Sequence, residues 1–306
     1  LRRALTSLAA SALLAAPATV AVAFGGSLFP ASASAAARPA AAVLPRVAGG
    51  FGHTPSIAFP PSRPPTSLVS RVLHAGHGPT VRSGDLVSVA YTGQIWRGKV
   101  FDSTFLAKFG HRSPFVTPIG EGKVVKGWDD GLPGARVGSR VLLVIPPKWG
   151  YGSAGAPSAG ITGSDTLVFV VDVLASWGKG ASSGGRQSMS ATRGGVTVSG
   201  ALDRVPHVHV PSSARPPKHE SRSVLVRGSG ARVGAGTVVF EEYVTDWRGK
   251  TLASTWSQSA PQSYAVTASN DPFAGIPVGS RVLFLEPKTS QGGPYVVVVD
   301  LVADIA

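Results

Sequence analysis

Apolar and polar residues alternate at Val87, Ser88, Val89, Ala90 and Tyr91, and the same period of two recurs at Leu167, Phe169, Val171 and Val173. That spacing predicts strands with one buried face. The run V-L-L-V-I at 141–145 is apolar on both faces and is expected to be a central strand. In V-V-K-G-W-D-D-G-L, Val124, Val125, Trp128 and Leu132 fall on one side at helical spacing, which predicts a short helix. The expected class is α+β, an antiparallel sheet of about five strands wrapped over one short helix.

The pattern occurs twice. W-R-G-K-V-F-D-S-T-F at 96–105 recurs as W-R-G-K-T-L-A-S-T-W at 247–256, and V-G-S-R-V-L at 137–142 recurs at 278–283. F-V-V-D-V-L-A at 169–175 is echoed by V-V-V-D-L-V-A at 297–303. The offset falls from 151 to 141 to 128, so the second copy is shorter by ten residues and then by thirteen more. Three matches in one order point to an internal repeat. The first loss falls on the helix candidate, and the second removes the loop W-G-Y-G-S-A-G-A-P-S-A-G-I.

Composition changes the picture outside the two copies. Arg2 and Arg3 precede an apolar stretch from Leu8 to Phe24 and the small-residue run A-S-A-S-A-A-A, the layout of an export signal over residues 1–35. Cleavage near Ala33 or Ala35 is expected, with an uncleaved anchor as the alternative. The expected product is secreted or associated with the cell envelope. Residues 36–66, ending in F-P-P-S-R-P-P-T, read as a Pro/Ala-rich spacer. Residues 177–220 read as a flexible Gly/Ser-rich linker, between ordered segments at 67–176 and 221–306.

The net charge of +13 lies mostly in those flanks: residues 1–65 and 177–222 carry +5 each, 66–176 carries +4 and 223–306 carries −1. No basic stripe is interleaved with aromatics, so no specific nucleic-acid partner is expected, and loose contact with an anionic cell envelope fits better. Cysteine is absent, which excludes disulfides, thiolate catalysis and Cys-based zinc sites. The histidines show no metal-ligand spacing, His207 and His209 fall in the linker, and no metal is assigned.

Six words between Tyr91 and Phe169 lie close together: V-S-V-A-Y-T-G, F-D-S-T, P-I-G-E-G, V-V-K-G-W-D-D-G-L, W-G-Y-G-S-A-G and T-L-V-F-V-V-D. They hold no nucleophile beside a base and no phosphate loop, but gather aromatic and aliphatic residues near one carboxylate, Asp102. In this order and spacing the segment 68–175 resembles the FKBP-type peptidyl-prolyl isomerases, the macrolide-binding immunophilins. The resemblance implies catalytic positions at Tyr91, Asp102, Trp128 and Tyr151, and substrate contacts at Phe101, Phe115, Val124, Val125, Ile161 and Phe169. It places Trp128 as the floor beneath a proline ring, Tyr151 and the Val125 N–H as donors to ligand carbonyls, and Asp102 in the wall as a hydrogen-bonding group. It implies proline-containing polypeptides and macrolides as ligands, and no cofactor.

Between Phe101 and Pro114 the chain is about four residues longer than compact members of that family, through F-L-A-K-F-G-H-R, with Arg112 a candidate to reach Asp102. Residues 221–306 resemble a degenerate copy in which Tyr243 is matched to Tyr91, while Leu252 and Ala253 replace Phe101 and Asp102. No tryptophan supplies a floor there and the Tyr151 loop is missing, so no isomerase activity is expected of it. The functional expectation is an isomerase of X-Pro bonds in exported proteins, confined to 67–176. The alternative is an envelope module that binds or chaperones proline segments without turnover; the second copy is then a helper, or a structural or dimerising unit.

Overall fold

The computed structural model describes residues 43–306 except 112, 183–187, 203, 258–259, 268–270 and 291. The expected export signal, and Arg112, lie outside the described residues. Among the described residues no helix is long and apolar enough to cross a membrane.

The first half begins with a hairpin of β1 (Arg46–Ala48) and β2 (Ser56–Ala58). It continues through β3 (Val69–His74), β4 (Leu86–Ile95), β5 (Val100–Ser103), β6 (Phe115–Pro118), α1 (Lys126–Gly131), β7 (Arg140–Ile145) and β8 (Leu167–Trp177). The sheet runs β3-β7-β8-β4-β5, with β6 also on β4, all antiparallel. The alternating segments are the long strands β4 and β8, and the doubly apolar run is β7, flanked by β3 and β8. The helix is shorter than its apolar spacing predicts, because Val125 is extended (ψ 140°) and only caps it.

One face of this sheet closes on α1. Trp128, Leu132 and Val125 are fully buried against Val141, Leu143, Ile145, Phe169 and Val171. Contact is close enough that a Cβ on Gly127 would lie 2.6 Å from Ile145, and one on Gly131 2.8 Å from Leu143, so helix glycines set the depth. The other face, Leu142, Val144, Val168 and Val170, is covered by Leu44, Val47, Ile57 and Phe59 from the hairpin region.

The second half repeats the plan. It adds β9 (Ser188–Arg193), β10 (Val196–Ala201), β11 (His207–His209), β12 (Ser221–Val226), β13 (Gly236–Asp246), β14 (Thr251–Ser254), β15 (Gln262–Val266), β16 (Arg281–Glu286) and β17 (Tyr295–Ile305). The order β12-β16-β17-β13-β14, with β15 on β13, is that of the first sheet element for element and fits a duplicated domain. Each sheet has six strands rather than five. The second carries no α-helix among the described residues, in keeping with the ten residues lost there.

The spacer and the flexible linker are corrected by this structure. The hairpin β1–β2 lies in the first, and a three-stranded sheet β11-β10-β9 in the second. Val196 and Val198 of β10 are fully buried against Leu283, Leu285, Val296 and Val298 on the back of the second sheet. The alternations V-T-V-S at 196–199 and S-I-A-F at 56–59 are the strand signal, diluted by surrounding Gly, Ser and Pro.

A buried ion pair fastens each back layer to its sheet. Arg140 donates to Asp172 through Nε (2.6 Å) and Nη2 (2.8 Å), and to the carbonyls of Gly49 and His53 (2.6 Å each), while the Gly52 N–H reaches Asp172 (2.7 Å). In the second sheet Arg281 grips Asp300 (2.7 and 2.8 Å) and the carbonyls of Gly200 and Ala201 (3.2 and 2.9 Å). These two arginines and aspartates are the polar letters of the repeated V-G-S-R-V-L and V-V-D words. A buried charge pair is tolerated only when its remaining hydrogen-bonding capacity is met, and here the docked layer meets it.

Candidate functional site

β4, β5, β6, β8 and α1 meet around Trp128. Its indole stands edge-on to Tyr91 (5.2 Å, 87°), Phe169 (5.3 Å, 85°) and Phe115 (6.3 Å, 79°), while Phe101 abuts Phe169 (5.4 Å, 86°). Edge-to-face rings fill space without stacking, leaving a rigid apolar cup with Trp128 at its base. Gly93 makes the arrangement possible. It sits on β4 opposite both Asp102 and Phe169, and a Cβ there would lie 2.7 Å from Phe101 and 2.8 Å from Phe169.

Val124 and Val125 enter from the start of α1, and both are buried. The preceding loop is held by Asp129, which accepts from the Gly120 N–H (2.6 Å) and the Gly122 N–H (2.9 Å). Ile161 is buried beside them, its backbone exchanging bonds with Ala156 (2.9 and 3.1 Å) to close the loop after β7. Tyr151 opens a 3-10 turn, Gly152–Ala154, in that loop and packs half-buried against the same cluster. All ten residues expected at the site are therefore in one region: the floor is fully buried, while Phe115, Asp102 and Tyr151 form a half-buried rim.

Asp102 is fixed from three sides. The Tyr91 hydroxyl donates to Oδ2, the Ser103 N–H donates to Oδ1 (2.8 Å), and His111 Nε2 lies 2.8 Å from Oδ1. β5 is pinned in register by Thr104, whose Oγ1 accepts from the Tyr91 N–H (2.8 Å), and by the Thr92–Ser103 hydroxyl pair (2.9 Å). Burial, reinforced by the bond to Asp102, pushes the Tyr91 hydroxyl far above the usual phenol range. Burial first, and then the Asp102 charge, push Tyr151 up to about 12. Both hydroxyls therefore stay protonated donors at any physiological pH.

His111 is the site residue that the sequence reading overlooked. The extended loop was read through Arg112, yet the described contact to Asp102 comes from the histidine before it. The signal was the glycine: Gly110 has φ 78°, a left-handed cap that ends the 3-10 turn Ala107–Phe109 immediately before His111.

In the second sheet the matching position to Tyr91 is Glu242, which corrects the match to Tyr243. Tyr91 pairs with Val171, one residue before Asp172, and Glu242 pairs with Val299, one residue before Asp300. Glu242 also donates its N–H to Thr255 (2.8 Å) as Tyr91 does to Thr104. Tyr243 faces the back layer, because one step along a strand reverses the face. Ala253 does stand where Asp102 stands, opposite Val244 in place of Gly93. Phe273 fills the center, against Phe240 (5.5 Å), Tyr264 (5.7 Å) and Phe284 (5.9 Å).

The family model "FKBP-type peptidyl-prolyl cis-trans isomerase" matches residues 78–174. An FK506-binding protein of Streptomyces anulatus is 37% identical over 122 residues, which cover 40% of this chain and 95% of that protein. A peptidyl-prolyl cis-trans isomerase of Schizosaccharomyces pombe is 39% identical over 106 residues, 34% of this chain and 90% of that protein. Among solved structures, FkpA from Escherichia coli is 38% identical where it matches, over 36% of this chain and 48% of that one, with a TM-score of 0.32.

Proposed function

The chain belongs to the FKBP-type peptidyl-prolyl cis-trans isomerases, and from that premise we propose that residues 67–176 rotate X-Pro bonds in exported proteins and so assist their folding. The observation that carries this reading is the aromatic cup over Trp128, with a single carboxylate, Asp102, held at its rim.

Rotation of an X-Pro bond breaks no covalent bond. It has to overcome amide resonance, a barrier of about 18–20 kcal/mol, and unaided it takes tens to hundreds of seconds. Water stabilises the planar, charge-separated imide more than the twisted one, so a dry cup favours the twisted form. The proline ring rests on Trp128 between Phe101, Phe115 and Phe169, and Ile161 and Val124 exclude water from the sides. Tyr151 and the Val125 N–H hold the flanking carbonyls. These contacts select the twisted geometry over the planar one, which is the differential binding that catalysis needs. An acceleration of about 10⁵ asks for roughly 7 kcal/mol, within reach of desolvation and a few oriented bonds. Macrolides that present a ring and carbonyls in the same arrangement are the second ligand class for the cup.

The export assignment rests on the leader-like residues 1–35 and the basic flanks. Fractionation of cells expressing the full-length chain should place it outside the cytoplasm. Recovery in the cytoplasm rejects that part alone. The activity is tested by NMR exchange on Ala-Xaa-Pro-Phe peptides, wild type beside Trp128→Phe and Tyr151→Phe. Acceleration that drops in both variants supports the assignment, whereas binding without acceleration makes the domain a proline-segment holder.

A further inference from the structure

Among the described residues, the ion-pair partner of Asp102 is an imidazole, His111, at 2.8 Å, with the two side chains 29% and 14% exposed. The ring lies against Tyr91 (6.1 Å, 63°), so it belongs to the wall of the cup rather than to the outer surface. Among the described residues, Tyr91 from β4 and Tyr151 from the loop after β7 also interact with Asp102, and both keep their protons through neutral pH. The histidine is therefore the member of this cluster that can stand beside Asp102 either neutral or, once protonated, as a cation.

We propose that His111 is a positioning residue for the isomerase reaction, holding and neutralising Asp102 when charged, so that proline segments bind more tightly below neutral pH than above it. This rests on the reading of the site as a prolyl isomerase. When a peptide covers the rim, water leaves Asp102, and an uncompensated carboxylate resists that step. An imidazolium donates a charge-assisted bond to Oδ1 and offsets the charge. A neutral imidazole keeps the bond through Nε2–H but leaves the site with a net negative charge. The proton acts on KM rather than kcat, because it concerns desolvation on binding.

The test uses the full-length chain and a blocked, uncharged Leu-Pro peptide, with turnover and binding both read by NMR from pH 5.5 to 8.5. For wild type, KM and Kd should rise about fivefold across this range along a single-proton curve. His111→Arg should be flat at the low-pH wild-type value, and His111→Gln flat at the high-pH value or weaker. Arg112→Gln should retain the wild-type slope, since an arginine does not titrate in this range. A flat wild-type profile, a slope that survives in His111→Gln, or His111→Arg lying at the weak-binding limit overturns the proposal. If no variant catalyses but Kd keeps the slope, the isomerase reading fails and the role of His111 in binding stands.

Discussion

At matching positions the two sheets make opposite use of the same scaffold. In the first, Gly93 withdraws its side chain so that Phe101 and Phe169 can line a cup whose floor is Trp128. In the second, Val244 and Val297 stand where Gly93 and Phe169 stand, and Phe273 packs into the center among Phe240, Tyr264 and Phe284. A pocket is an underfilled core. It needs large rings held apart by a short helix and a loop, and the deletions in the second copy remove both. What the two retain is the strand order and the buried Arg–Asp fastening that ties each sheet to its back layer.

Removing the central ring should separate these uses most sharply. Trp128→Ala in the full-length chain is expected to cost about 3–5 kcal/mol of stability, as large-to-small core changes do. It should also lower kcat/KM about a hundredfold or more, close to 3 kcal/mol of transition-state binding. Phe273→Ala should cost a similar amount of stability in the second domain and leave isomerisation unchanged. Loss of activity in Phe273→Ala would show that the filled copy takes part in the reaction.

The fastenings should behave alike. Asp172→Asn and Asp300→Asn each leave a buried guanidinium without its counter-charge, an expected cost of about 3–5 kcal/mol. Hydrogen exchange should rise at 46–58 in the first variant and at 188–209 in the second. If exchange rises in the sheet instead, the docked layers fold independently of the ion pairs.

Much of this was readable from period and order. Val87–Tyr91, Leu167–Val173 and 141–145 announce β4, β8 and β7 because a buried strand face writes itself into alternate residues, and the repeated words announced two sheets. The cup was legible through the joint order of its motifs rather than through any residue singly. The back layers were not, since strands of three to six residues sit within Gly- and Pro-rich chain and owe their stability to a sheet far along the sequence. His111 escaped because its contact depends on one left-handed glycine, and Tyr243 misled because letters align without regard to strand parity.

Glu241 tests a further asymmetry. It pairs with Asp300 where the first sheet has Ala90 opposite Asp172, and it accepts a bond from Thr255. Burial raises its carboxyl to about 7, from 4.5, against the lowering by Thr255 and the N–H groups of Ala181 and Gly180. As pH rises from 4.5 the unfolded chain gives up this proton first, so the folded state bears a growing penalty that is complete above about 7. Glu241→Gln should therefore stabilise the second domain by up to about 3 kcal/mol at pH 8 and by nothing near pH 4, measured by urea unfolding. A gain that does not depend on pH would assign the effect to packing.

The smallest change is the most local. Gly93→Ala adds one methyl at 2.7 Å from Phe101 and 2.8 Å from Phe169, and neither ring can retreat from a strand-bound position without opening the cup. Overpacking of this kind costs about 1–3 kcal/mol. Because the displaced rings line the site, the loss of kcat/KM should exceed what the fall in stability explains at temperatures where the protein is fully folded. Val244→Gly, the reverse exchange in the second sheet, should cost stability through the lost side chain and create no binding of proline peptides, since Phe273 still occupies the center. A gain of peptide binding in Val244→Gly would mean that the filled copy is a closed pocket rather than a core.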